Sequence, residues 1–120
     1  MRTSKHKKHK LTATIYDKKG NVLSVGVNSY KKSHPMMAKY GKDINQHKIF
    51  IHAEVDAILR CMRNNTLHKA HRIFVERYSA VGNPMNGEPC EICKQVIKHE
   101  TNIKIVEFTG KVNYEDSRHQ

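Results

Sequence analysis

Tryptophan is absent from this chain of 120 residues, and aromatic residues of all kinds make up only 7% of it. A face of stacked rings able to hold successive unpaired bases is therefore not expected. Cysteine is scarce too: three residues cannot form a disulfide framework without leaving one thiol over. With no signal peptide evident at Met1 to Lys10, the expectation is a cytoplasmic protein in a reducing compartment. No apolar run approaches the ~20 residues that cross a bilayer, so no membrane partner is expected. Nor does an internal repeat or a low-complexity linker divide the chain. Acidic residues are half as numerous as basic ones, 11 against 22, and the formal net charge is +11. With 38% hydrophobic and 28% charged residues, this is the composition of one small domain with a modest core and a surface that attracts anions.

Residues 1–10 read as a basic, mobile arm carrying Arg2, Lys5, Lys7, Lys8 and Lys10. Residues 11–110 read as a single domain and 111–120 as a polar tail. Leu11 to Tyr16 alternates like a strand, Lys19-Gly20-Asn21 supplies turn chemistry, and Val22 to Val27 returns as the second strand of a hairpin. Ser29 to Phe50 is too long for an idle loop and is expected to hold a short helix from Pro35 to Tyr40, stopped by Gly41. Val55, Ile58, Leu59 and Met62 recur at helical spacing after His52, and that helix should fray near Asn64-Asn65. Arg72 to Tyr78 reads as a third strand. A glycine-bearing, flexible passage, Gly82 to Gly87, leads into a helix with Ile92, Val96 and Ile97 on one face, followed by a strand from Ile103 to Phe108. A helix between the last two strands makes them parallel, so the sheet is mixed.

The chemistry concentrates in His52-Ala53-Glu54 and Pro89-Cys90-Glu91-Ile92-Cys93. Cys90 and Cys93 stand three apart, so in the first turn of a helix both sulfurs face the same way and can grip one cation. A helix N-terminus favours the thiolates that metal binding requires, and Pro89 suits such a start. Two thiolates, a neutral imidazole from His52 and Zn²⁺ sum to no net charge. Three protein ligands leave one tetrahedral position for water, which zinc acidifies to near neutrality. Glu54, two residues beyond His52, is kept off the metal as the general acid/base. The zinc-protease pattern His-Glu-x-x-His needs a histidine where Asp56 stands. The bland alternative is a structural zinc site, with another histidine or Cys61 as fourth ligand, although such a site has no use for Glu54. Cys61 follows Ala53 and Ala57 at four-residue steps, which suits a small, closely packed helix face and an inert core thiol.

This His-x-Glu then Pro-Cys-x-x-Cys pattern resembles the known signature of the cytidine/deoxycytidylate deaminase superfamily, zinc hydrolases that remove the exocyclic amine of a nucleobase. The likeness spans about Gly26 to Phe108. The stretch Gly26-Val27-Asn28-Ser29-Tyr30-Lys31-Lys32-Ser33-His34-Pro35 is also similar to small phage-type deaminase-like proteins, which would put the chain in a host cytoplasm. The resemblance implies a three-layer α/β/α fold with a mixed sheet of about four or five strands and zinc at the N-termini of two adjacent helices. It further implies that Asn28 contacts the substrate's sugar or base, that the Ala53 N–H bonds a base carbonyl, and that the Glu88 carbonyl receives the departing amine. Asn28 has a plainer alternative as a turn cap. Relatives carry more structure before the first strand and after the last, so a closing element here would be short or come from a neighbouring subunit, and a homo-oligomer is expected.

A cytosine nucleoside or nucleotide is the first substrate expectation, deaminated to the uracil product. A free nucleotide needs only one or two cations near its phosphate, for which Lys31, Lys32, His34 and Arg77 are candidates. The arm's surplus of charge suits a single-stranded DNA or RNA backbone, so deamination of cytosine or adenine within a polymer is the alternative. A third reading is an idle zinc-fold binding protein.

Overall fold

A computed structural model of the chain describes residues 10–29, 34–41 and 51–110. The first two strands, β1 (Lys10–Tyr16) and β2 (Val22–Val27), form the expected hairpin. Asp17 closes it: Oδ1 accepts the backbone N–H groups of Lys19 and Asn21 at 2.9 and 2.8 Å, and Gly20 supplies a φ of 90°. Then come α1 (Pro35–Gly41), α2 (Ala53–Arg63), a 3₁₀ turn at Leu67–Lys69, β3 (Arg72–Tyr78), α3 (Glu91–Glu100) and β4 (Ile105–Phe108).

The four strands lie in the order β2-β1-β3-β4, with β1 antiparallel to both neighbours and β3 parallel to β4. This is the expected mixed α/β sheet. β4 starts later than Ile103 because the N–H groups of Lys104 and Ile105 both turn to the His71 carbonyl, at 2.9 and 3.2 Å, and pairing begins at Arg72↔Ile105. The passage after β3 folds back on itself. Ser79 N–H donates to the Asn83 carbonyl at 2.8 Å, Tyr78 bridges Pro84, and Met85 N–H donates to the Arg77 carbonyl at 2.8 Å.

Alternation along the strands sends Ala13, Ile15, Ser24, Gly26, Ile73 and Val75 to one buried face, where α2 adds Val55, Ile58 and Leu59 and α3 adds Ile92, Val96 and Ile97. The other face carries Thr12, Tyr16, Val25, Val27 and Phe74, and Val25 and Val27 are nearly half exposed. Among the described residues no helix packs there. The outer layer of an α/β/α arrangement is thus not part of the described residues, and residues 1–9 of the arm and the 111–120 tail lie outside them.

Gly26 sets the distance between α2 and the sheet. A Cβ there would lie 2.3 Å from the Ala57 nitrogen and 2.4 Å from the Ala53 carbonyl oxygen. Opposite it, α2 offers the expected small face of Ala53, Ala57 and Cys61, all fully buried. Ser24 Oγ donates to the Ala57 carbonyl at 2.8 Å and lies 3.2 Å from Cys61 Sγ. Asp56 Oδ2 accepts the Val27 N–H at 3.0 Å, so α2 also occupies the outer edge of β2. On the far side α1 leans on α3: the Tyr40 ring stacks on His99, and Tyr40 and Lys39 both donate to Glu100, at 2.5 and 2.9 Å. Met37 fills the core and Met36 is half-buried beside it.

Candidate metal centre and active site

One end of the sheet, where β1 begins and β2 and β3 finish, draws in both parts of the pattern read from the sequence. Ser29 N–H donates to the Ile51 carbonyl at 2.9 Å, which ties the start of α2 to the end of β2. Gly87 N–H donates to the Thr109 carbonyl at 2.9 Å, which ties the approach to α3 to the end of β4. Helices α2 and α3 therefore start side by side.

His52 and Cys90 are both N-cap residues, with extended backbones at φ −87°, ψ 161° and φ −72°, ψ 174°. The two cysteines accordingly do not share the first turn as the spacing suggested. Cys90 stands just before it, and Cys93 is its third residue. An N-cap side chain folds back over the first turn, so this pairing brings the sulfurs together as well as a shared turn would. His52 Nδ1 lies 3.2 Å from Cys93 Sγ and 3.3 Å from Cys90 Sγ, and the three donor atoms are all within 4.8 Å of one another. A tetrahedral zinc with Zn–N of ~2.0 Å and Zn–S of ~2.3 Å keeps such donors ~3.5 Å apart, so the constellation fits that ion with little adjustment.

The charges lean the same way. The Cys93 thiol and the His52 ring beside Cys90 bring its pKa down to about 4 against the cost of burial. That thiolate, together with burial and the neighbouring Glu54, pushes the Cys93 thiol well above its ordinary value, while a hydrogen bond to Cys90 raises His52. A bare site thus holds one negative sulfur comfortably and resists a second. A divalent cation relieves that conflict, because a coordinated thiol is deprotonated outright.

Glu54 sits in the first turn of α2, only 2% exposed. Burial raises its pKa, partly opposed by its own backbone N–H and by His52. Its Oε1 has no hydrogen-bond partner among the described residues. A buried carboxylate oxygen with no partner is costly, and an active site is a place where that cost is tolerated. Among the described residues no fourth His, Cys, Asp or Glu donor joins the cluster. Cys61, the alternative fourth ligand, is instead packed against Ser24. The described donors number three, which would leave one tetrahedral position of a zinc ion for water.

The substrate-contact expectations meet the structure unevenly. Asn28 is at this end of the sheet, but its Oδ1 accepts the Leu11 N–H at 3.0 Å, so part of the side chain is committed to holding the hairpin. Ala53 is the first residue of α2, next to His52. Glu88 precedes Pro89 and Cys90; its exposed carboxylate pairs with Lys94 at 2.7 Å. Arg77 Nη1 donates to the Asn86 carbonyl at 3.3 Å, and His34 Nδ1 accepts the Met36 N–H at 3.0 Å at the start of α1, so both serve the local fold. Lys31 and Lys32 lie outside the described residues. Sequence reasoning missed Ser24, Gly26 and Asp56 as the residues that seat α2 and with it His52 and Glu54. The small-residue face of α2 was the available signal, but its partner strand could not be read from spacing.

A family model described as the cytidine and deoxycytidylate deaminase zinc-binding region matches residues 1–109. Among solved structures, a Glu-to-Gln variant of cytidine deaminase from Mycobacterium tuberculosis is similar, with 13% identity, a TM-score of 0.55, and coverage of 85% of this chain and 69% of that one. Cytidine deaminase from Burkholderia pseudomallei is similar with 18% identity and a TM-score of 0.50 over 75% of this chain, which spans 57% of the Burkholderia protein. At these identities the likeness is one of fold. A comparison with curated proteins returns no match.

Proposed function

The chain belongs to the cytidine and deoxycytidylate deaminase zinc-binding family, and from that premise we propose that this zinc-dependent hydrolytic deaminase acts on a cytosine nucleoside or nucleotide, giving the uracil product and ammonia. The observation that carries the proposal is a single juxtaposition. His52, Cys90 and Cys93 present three donors to one point, and beside them lies a buried carboxylate with an unengaged oxygen.

His52 Nδ1 and the two sulfurs would hold zinc, which when bound would acidify a water in its open position and so supply the nucleophile. The chain's own residues do the rest. Glu54 takes a proton from the attacking water as oxygen adds to C4, and returns it to the ring nitrogen. The second proton passes the same way to the exocyclic amine, the C4–N bond breaks, and ammonia leaves. Burial of Glu54 keeps bulk water from competing for that proton. We assign the Ala53 N–H to a base carbonyl, Asn28 to the sugar or base, and the Glu88 carbonyl to the departing amine. Homo-oligomerisation is part of the same proposal, supported by Val25 and Val27 on the face where no described helix packs and by Ile105 and Val106, both over a third exposed, on the last strand.

The test is a panel of cytidine, deoxycytidine, their monophosphates, adenosine, guanine and short oligonucleotides, assayed for ammonia with Glu54→Gln as control. Release from the free cytosine compounds that disappears in the zinc-loaded variant supports the reading. Turnover confined to oligonucleotides, or to adenosine or guanine, overturns the substrate assignment. No release from any compound favours an idle binding protein.

A further inference from the structure

The opposite end of the sheet, where β1 finishes and β2, β3 and β4 begin, holds a cleft of about 580 Å³. Three loops line it: the β1–β2 turn contributes Lys18 and Lys19, the connection from α2 to β3 contributes His68, Lys69 and His71, and the approach to β4 contributes Lys104. The only acid in its lining is Asp17. That carboxylate is occupied within its own turn, where it accepts the backbone N–H groups of Lys19 and Asn21 and the Asn21 side-chain amide. Four basic side chains elsewhere are neutralised by ion pairs, namely Lys39 with Glu100, Arg60 with Asp56, Arg72 with Glu107 and Lys94 with Glu88. Among the described residues none of the four cleft lysines has such a partner.

We propose that this cleft is a binding site for the phosphate backbone of a single-stranded nucleic acid, separate from the metal centre. Four exposed ammonium groups against one internally engaged carboxylate recognise repeated phosphates. No Phe, Tyr or Trp lines the cleft, so the site reads charge more than bases. A strand of seven residues separates it from the metal-binding end, roughly 20 Å. A mononucleotide with its base at the zinc site cannot reach so far. The chain also carries Arg2, Lys5, Lys7 and Lys8 just before the start of β1, whereas the cleft lies at its end. Positive charge attached at both ends of one strand is a layout that a polymer can exploit and a small anion cannot. The site does not depend on which base the enzyme deaminates.

The experiment is fluorescence anisotropy of labelled 20-nucleotide single-stranded DNA and RNA with the full-length protein and a Lys18→Gln, Lys19→Gln, Lys69→Gln, Lys104→Gln variant. All four side chains are exposed, so zinc content and Tm should stay at wild-type values and serve as controls. Each lost phosphate contact removes about 0.7 from the slope of log affinity against log salt, so four should remove about 3 and make the affinity loss between 50 and 200 mM salt about fifty-fold smaller. Restoring charge with arginine at the four positions should restore the slope. A full-length variant with Lys5, Lys7 and Lys8 changed to glutamine should still show the cleft's share. The proposal is overturned if the quadruple variant keeps the wild-type slope, if only the arm substitutions alter binding, or if free nucleoside triphosphate at equal phosphate concentration displaces the oligonucleotide.

Discussion

The two ends of the same four strands are built on opposite principles. At one end, helix starts converge on the sheet, donors of alternating charge preference face one another, and Glu54 and Cys93 are almost wholly buried. At the other, three connecting loops surround an open cleft of exposed lysines. The first end is positioned by backbone packing, with Gly26 against Ala53 and Ala57, so a displacement of tenths of an ångström matters there. The second is positioned by turn chemistry and acts through long-range charge, so it tolerates movement. Local chemistry needs the former kind of construction, and capture of a flexible polyanion needs only the latter.

The largest expected effects fall on the packed end. Cys93→Ser should abolish stoichiometric zinc and all ammonia release, measured by metal analysis beside the activity assay; a variant that keeps both would show that the cluster is not the metal site. Glu54→Gln should leave zinc bound and lower kcat about 10³-fold, the usual scale for removing a general acid/base. If zinc is lost instead, Glu54 is a ligand and the comparison with the three-donor cluster fails. Gly26→Ala forces a methyl group onto the α2 backbone and should cost about 3 kcal/mol, seen as a lowered Tm together with weaker zinc retention. Unchanged stability would show that α2 can slide, which would remove the distinction between the two ends. On the basic end, the quadruple lysine variant should turn over free cytidine within about two-fold of wild type, because a surface charge ~20 Å away is largely screened at physiological salt.

The smallest effect concerns the polar contacts that add to the buried Met37 in holding α1 against α3. The Tyr40 hydroxyl and, next, Lys39 hold the Glu100 carboxyl below its ordinary value. A group lowered in this way contributes stability above its unfolded pKa and loses it as pH falls through the folded one. Glu100→Gln should therefore lower Tm by no more than a few degrees at pH 7, as expected for exposed pairs, with the difference from wild type vanishing as the pH drops below the normal glutamate range.

Much of this was legible in order along the chain. The β2 and β3 spans were read to the residue from alternation and turn residues, α1 and α2 came within a residue or two from periodicity and from Gly41 and Asn64, and the start of α3 came within one. His52, Glu54, Cys90 and Cys93 stood out because few chemistries use those residues at that spacing. The N-cap placement of Cys90 was not legible, since a spacing of three fits both a shared first turn and an N-cap with its third residue. β4 was read two residues too long because Ile103 and Lys104 continue the strand pattern while their backbone turns toward His71.

Residue identities and local periodicity determined the elements, the ligand types and the excess of positive charge, because helix and strand patterns and metal preferences depend on neighbours along the chain. Which parts meet was decided only by tertiary structure. His52 and Cys93 are 41 positions apart, Gly26 and Ala57 are 31 apart, and the four cleft lysines come from three loops. Such meetings follow from strand order and from how closely a helix can approach a sheet, and neither quantity is carried by any single stretch of sequence.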